Sequence, residues 1–177
     1  IVLNNPVDEV TISKCNFENC EALFGSGIYA FSELDVNSIV IVNCVFTENS
    51  LLPEKENALT GGSAIYLQTK RAVTKRCKFY KNKGENSIKI DNEFDNPATP
   101  RIKELFLGSP VQINDCVFEI DQKSTSSISY IRSEKKAVSV DIQNCIFTGE
   151  LAKNAHHISV ESLSKNIESP KIHIKSC

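Results

Sequence analysis

The chain has 177 residues, 41% of them hydrophobic and 24% charged, and its formal net charge at pH 7 is −2. That is enough apolar material for one sizeable core, so a single elongated domain over 1–177 is expected. The charge excludes the chain-wide basic excess that polyanion binders carry, so no nucleic acid partner is expected. No apolar run approaches the length of a membrane span.

Taken in chain order, the first informative stretch is Val10-Thr11-Ile12-Ser13-Lys14-Cys15-Asn16-Phe17. Its pattern is an apolar pair two residues apart, two mostly polar residues, Cys, any residue and Phe. Ile39, Ile41, Cys44 and Phe46 repeat it, as do Val111, Ile113, Cys116 and Phe118, and Val140, Ile142, Cys145 and Phe147. Ala72, Thr74, Cys77 and Phe79 make a weaker copy, and Ile172, Ile174 and Cys177 begin another. Self-similarity of this kind is the signature of a repeat architecture.

A spacing of two is the strand period, so each apolar pair points to one face. The step from Ile12 to Cys15 is three, which would send Cys and Phe to the opposite face of an unbroken strand. A corner at Ser13-Lys14 and its equivalents removes the conflict. A third apolar pair follows each Phe: Ile28 and Ala30, Ile65 and Leu67, Ile88 and Ile90, Ile128 and Tyr130, Ile158 and Val160. Three short strands per repeat predict an all-β chain: a right-handed parallel β-helix, or solenoid, of about six coils with two loop insertions. Cys then stacks on Cys and Phe on Phe. An antiparallel sandwich does not require the same residue at the same point of every unit. Leucine-rich repeats are excluded by the scarcity of Leu in the apolar slots, and helical solenoids by the absence of long 3.6-residue periodicity.

Two stretches depart from the template. Phe46 and Ile65 are 19 positions apart where Phe17 and Ile28 are 11 apart, so residues 50–60 are expected to leave the coil as a loop. Asp91 to Pro110 holds Pro97, Pro100 and Pro110, which cannot donate to a sheet. This second loop is the expected recognition surface, because loops on a rigid solenoid carry function. The chain opens at Ile1 and stops in mid-motif at Cys177, so further coils of the same chain are expected at both ends.

The candidate chemistry is sparse. Cys15, Cys44, Cys77, Cys116, Cys145 and Cys177 share one slot and are expected to form an inward ladder of reduced thiols, with Cys20 as a corner residue in place of Asn. Lys70, Arg71, Lys75, Arg76, Lys78, Lys81 and Lys83 lie within one repeat with no acidic residue among them. As outward residues of one coil they form a basic band suited to an anionic glycan or membrane surface, or simply a solvated face. Asp91-Asn92-Glu93-Phe94-Asp95 is the densest acidic group but lacks the Gly and Glu of an EF-hand loop. His156 and His157, adjacent on a strand, point to opposite sides, and with His173 they are expected at the surface or at corners. No P-loop, dinucleotide fingerprint or HExxH occurs. The expectation is therefore no catalytic, cofactor-binding or metal-ligating residue, and no cofactor. No Asn-x-Ser/Thr acceptor occurs either, which leans against a heavily N-glycosylated surface.

Two short motifs overlap the repeats: Phe-x-x-Asn at Phe46 to Asn49 and Phe79 to Asn82, with Phe17 to Cys20 as a variant, and a glycine-rich step into Ile-Tyr at Gly25 to Tyr29 and Gly61 to Tyr66. Together they resemble the FxxN and GGA-I/L/V repeats of the chlamydial polymorphic outer membrane proteins and of similar protist surface repeat proteins. In the second half Asp121 and Glu150 stand where the Asn would be. The resemblance implies a β-helical passenger at a cell surface or outside the cell, acting in adhesion on a protein or glycan ligand. A polysaccharide-active lyase or hydrolase, needing carboxylates from adjacent coils, is the alternative of another class. An internal scaffold or filament component is a third.

Overall fold

The computed structural model describes residues 1–4, 6, 9–32, 38–52, 62–69, 71–84, 86–91, 111–120, 126–132, 139–149, 156–162 and 172–177. After β1 (Val2–Asn4), one turn is made by β2 (Val10–Ser13), β3 (Asn16–Glu18), β4 (Glu21–Ala22) and β5 (Ile28–Ser32). The next contains β6 (Ile39–Val42), β7 (Val45–Thr47), β8 (Ser50–Leu51) and β9 (Ile65–Thr69). The third has β10 (Ala72–Lys75), β11 (Lys78–Tyr80) and β12 (Asn86–Asp91), and the fourth β13 (Val111–Asn114), β14 (Val117–Glu119) and β15 (Ser126–Arg132). Then come β16 (Val140–Gln143), β17 (Ile146–Thr148) and β18 (His156–Ser162), followed by β19 (Ile172–Lys175).

Every strand pairs in parallel with its equivalent one turn away. The first sheet orders β2-β6-β10-β13-β16-β19, the second β3-β7-β11-β14-β17 and the third β1-β5-β9-β12-β15-β18. This is a parallel β-helix. The register puts like on like: Ile12 against Ile41, Phe79 against Phe46 and Phe118, Ile28 against Ile65. Inward columns of Ile, Val and Ala from the first and third sheets close on the Phe column of the second. Rings of Phe17, Phe46, Phe79, Phe118 and Phe147 stack at 4.8, 4.9, 4.6 and 5.1 Å between centroids, which is the spacing of neighbouring strands. Thr74 stands in an isoleucine column, fully buried, and its hydroxyl has no hydrogen-bond partner among the described residues.

The corner ahead of each cysteine is a single left-handed residue. Lys14, Asn43, Arg76, Asp115, Asn144 and Ser176 all have φ between 53° and 56°. That one rotation absorbs the step of three between Ile12 and Cys15 and keeps both pairs inward. After four of the five stacked Phe a second left-handed residue follows, Asn19, Glu48, Lys81 and Gly149, whereas Ile120 after Phe118 is not left-handed. Here Asn49 donates its side-chain amide to Phe17 O at 3.0 Å and Asn82 Oδ1 at 2.9 Å, while Asn82 donates to Phe46 O at 3.1 Å. The backbone of Cys20 donates to Asn49 Oδ1 at 3.0 Å, so Cys20 takes the corner slot expected of it. The Phe-x-x-Asn motif is thus a buried amide ladder that satisfies corner carbonyls.

The glycine step has a steric cause. A Cβ on Gly62 would lie 2.0 Å from Ile65 O, and one on Gly25, where φ is +50°, 2.2 Å from Ile28 O. Only glycine lets the backbone turn this tightly into the third sheet.

One expectation needs correction. Ser50 and Leu51 do not leave the coil but form β8, paired with Glu21 and Ala22 of β4. Ser50 N donates to Cys20 O and Leu52 N to Ala22 O, both at 2.9 Å, so the chain keeps its register through Leu52. The remaining residues of that insertion lie outside the described residues, as do residues 92–110 of the second loop.

Candidate functional site

Inward positions are committed to the core, so recognition chemistry has to come from outward rows and corners. The third turn stands apart. Arg71 and Lys75 belong to its first-sheet side, Arg76 is its corner, Lys78 points outward from β11, Lys81 is the next left-handed residue, and Lys83 bridges Ser50. Arg76, Lys78, Lys81 and Lys83 are exposed. Among the described residues none of these four pairs with a carboxylate, whereas Lys75 Nζ lies 3.8 Å from Asp115 Oδ2 of the following turn. Lys70 is outside the described residues.

The flanks of this band are neutral or acidic. Lys78 lies between Val45 and Val117, and Tyr80 between Thr47 and Glu119. Glu48 N bonds to Tyr80 O, which seats Glu48 beside Lys81, and Arg76 N bonds to Asn114 O, which seats Asp115 beside Arg76. Among the described residues the positive charge therefore follows one turn and does not spread to the turns on either side.

A second cluster lies on the outer row of the third sheet. Tyr29 and Tyr66 stack at 5.5 Å with Phe24 against both, and the register places Lys89 next to Tyr66. Strand alternation sends these residues to solvent, yet Tyr66, Lys89 and Asp91 are only 6%, 2% and 3% exposed. The Tyr66 hydroxyl donates to Asp91 Oδ2 at 2.7 Å, and Lys89 Nζ lies 5.9 Å from the Tyr66 ring centroid. A hydroxyl given to a buried carboxylate is a charge-assisted bond that fixes both groups. Asp91 is thus an anchored acceptor. Glu93 and Asp95 of the same acidic run fall outside the described residues.

The histidines do not converge. His156 is exposed and His157 half-buried, with its Nδ1 3.4 Å from Ser127 Oγ and its ring against Phe147 at 5.2 Å. Burial pushes the His157 pKa down. His173 pairs across strands with Asp141, Nδ1 to Oδ1 at 3.2 Å, on the outer face of the first sheet. Among the described residues no three of His, Cys, Asp and Glu come close enough to hold a metal ion.

All seven cysteines are free thiols. Cys44, Cys77, Cys116 and Cys145 are buried, and successive turns are tied by bonds such as Lys78 N to Cys44 O and Val117 N to Cys77 O. Their sulfurs rest 3.5 to 3.7 Å from carbonyls of the preceding turn, at Ile12, Ile41, Thr74 and Ile113. Burial raises the pKa of Cys44, and hydrogen bonding with Cys145 and Cys77 raises that of Cys116. Cys44 and Cys116, held protonated in this way, are poor nucleophiles, while hydrogen bonding with Cys116 pushes the thiols of Cys77 and Cys145 the other way.

The register, the all-parallel sheets and the absence of a helix among the described residues agree with one comparison. Residues 1–169 match the model of the right handed beta helix region. The chain belongs to this family. The β-helix is accordingly right-handed. Neither a curated protein nor a solved structure matches the chain significantly. Within a right-handed β-helix the outward rows of each turn are the surfaces open to a partner, and in this chain the third turn carries the most concentrated charge.

Proposed function

We propose that this β-helix is a non-catalytic structural and adhesive repeat segment of a cell-surface or secreted protein, which presents strand faces and loops to a protein or glycan. The observation that carries the reading is the division of labour between inside and outside. The recurrent Ile, Cys, Phe, Asn and Gly serve the core or the corner backbone. The outward slots change freely: the corner ahead of Cys is in turn Lys, Asn, Arg, Asp, Asn and Ser. Such a scaffold is rigid and its surface is open to variation, which suits recognition. The resemblance of the FxxN and glycine steps to the polymorphic outer membrane protein repeats supports the same display role.

Intact cells expressing the parent protein, labelled with an antibody raised to residues 91–110, test this reading. Labelling without permeabilisation is expected. Labelling only after permeabilisation would overturn it and favour an internal scaffold.

A further inference from the structure

We propose that the basic band of the third turn is a binding site for a linear acidic polysaccharide, one that carries sulfate or carboxylate on successive sugars. The inference rests on the display reading and names the ligand of that surface. Arg76, Lys78, Lys81 and Lys83 are exposed and have no carboxylate partner among the described residues, which leaves their charge to a ligand. Following the strand rise of about 3.3 Å per residue, the path from Lys75 to Lys83 has a contour of roughly 25 Å around the outside of one turn. Tyr80 lies within that path, half-buried, and offers an aromatic edge between Lys78 and Lys81.

The shape of the band selects the partner. Neighbouring turns lie only about 4.8 Å away, and they bring Glu48 on one side and Asp115 and Glu119 on the other. A planar anionic membrane meets many turns at once and therefore meets these carboxylates and the chain's net charge of −2. Duplex nucleic acid is wider still, with a major groove alone about 12 Å across. Single-stranded nucleic acid is thin enough, but its binding relies on successive aromatic platforms, and the band has one aromatic residue. A polysaccharide strand can follow a single turn and place an anion against each cation in sequence. Lysine ammonium groups serve as point charges for sulfate or carboxylate, while Arg76 can grip an oxyanion through two N–H groups.

The test is binding of the whole chain to immobilised heparin, with polygalacturonate as competitor, neutral dextran as control and phosphatidylserine–phosphatidylcholine vesicles as the rival surface. Heparin binding that weakens with salt is expected. The combined Arg76→Gln, Lys78→Gln, Lys81→Gln and Lys83→Gln variant is expected to lose about tenfold or more in affinity. Lys14→Gln with Lys175→Gln, off the band, is expected to stay within about twofold. Arg76 and Lys81 hold left-handed corners, so Lys78→Gln with Lys83→Gln is the variant to use if the fourfold change unfolds the chain, with a loss of about threefold. Asp115→Asn releases Lys75 and keeps the amide-compatible corner, so it is expected to tighten binding about twofold. Absence of heparin binding, equal binding by the band variants, equal retention on dextran, or preference for the vesicles would each overturn the proposal. Surface labelling of cells without heparin binding would remove this inference alone. Labelling confined to permeabilised cells would remove the display reading while leaving the heparin result to stand.

Discussion

Lys14, Asn43, Arg76, Asp115, Asn144 and Ser176 form one column of corners, and Cys20, Asn49 and Asn82 form another a few residues further along each turn. In the first column the requirement is a backbone conformation. The side chain points out, so six positions hold five residue types and both signs of charge. In the second column the side chain points in and must satisfy carbonyls that water cannot reach, as Asn49 does for Phe17 O and Asn82 for Phe46 O. Residue identity recurs there because an amide supplies donor and acceptor together. Recurrence along this chain thus reports inward demand, and variation reports outward freedom.

The largest test removes the column on which both kinds of corner close. Phe79 is fully buried between Phe46 and Phe118. Phe79→Ala is expected to cost about 3–5 kcal/mol, measured by denaturant unfolding. A loss below about 1 kcal/mol would mean that the turns do not depend on the stack.

The inward corner comes next. Asn82→Ala strips the acceptor from Asn49 N and Nδ2 and the donor from Phe46 O. Leaving such groups buried and unpaired should cost about 1–3 kcal/mol. Against it stands an outward corner, Asn43, whose φ is 56°. Asn43→Gly is expected to change stability by less than about 0.5 kcal/mol, whereas Asn43→Val, β-branched in a left-handed site, should cost about 1–2 kcal/mol. If Asn43→Gly proved as damaging as Asn82→Ala, the distinction between the two columns would fail.

The same distinction explains what was legible in the sequence. The parallel β-helix could be read because Ile, Cys and Phe recur at inward slots, and the basic band because its residues fall within one turn. β1 was not visible: only Leu3 of Val2–Asn4 is held inward against the core, and no Cys or Phe accompanies it. β4 and β8 are two residues each, too short to show a period, so Ser50 and Leu51 read as the start of an insertion. The burial of Tyr66, Lys89 and Asp91 was hidden for a different reason. Period-two alternation assigns those positions to solvent, and only the in-register Tyr29 and Tyr66 pair marked that face as unusual.

The smallest expected effect probes the third corner, at the slot of Gly27, Ala64, Ser87, Ser127 and His157, where residue size grows along the helix. His157 turns toward Phe147 and faces Ser127 Oγ, and burial lowers its pKa. The neutral ring is therefore favoured in the folded chain. As pH falls, the unfolded chain, with an ordinary histidine pKa near about 6.5, takes up the proton first. The stability that His157 contributes is present above that value and is lost as the pH drops through and below it. His157→Gln keeps a polar partner for Ser127 without the titration. Melting temperatures at about pH 7.5 and pH 5.5 should fall more in the parent chain than in the variant. Equal slopes would show that the ring is solvated in both states, and that this inward slot tolerates a charge as freely as the outward corners do.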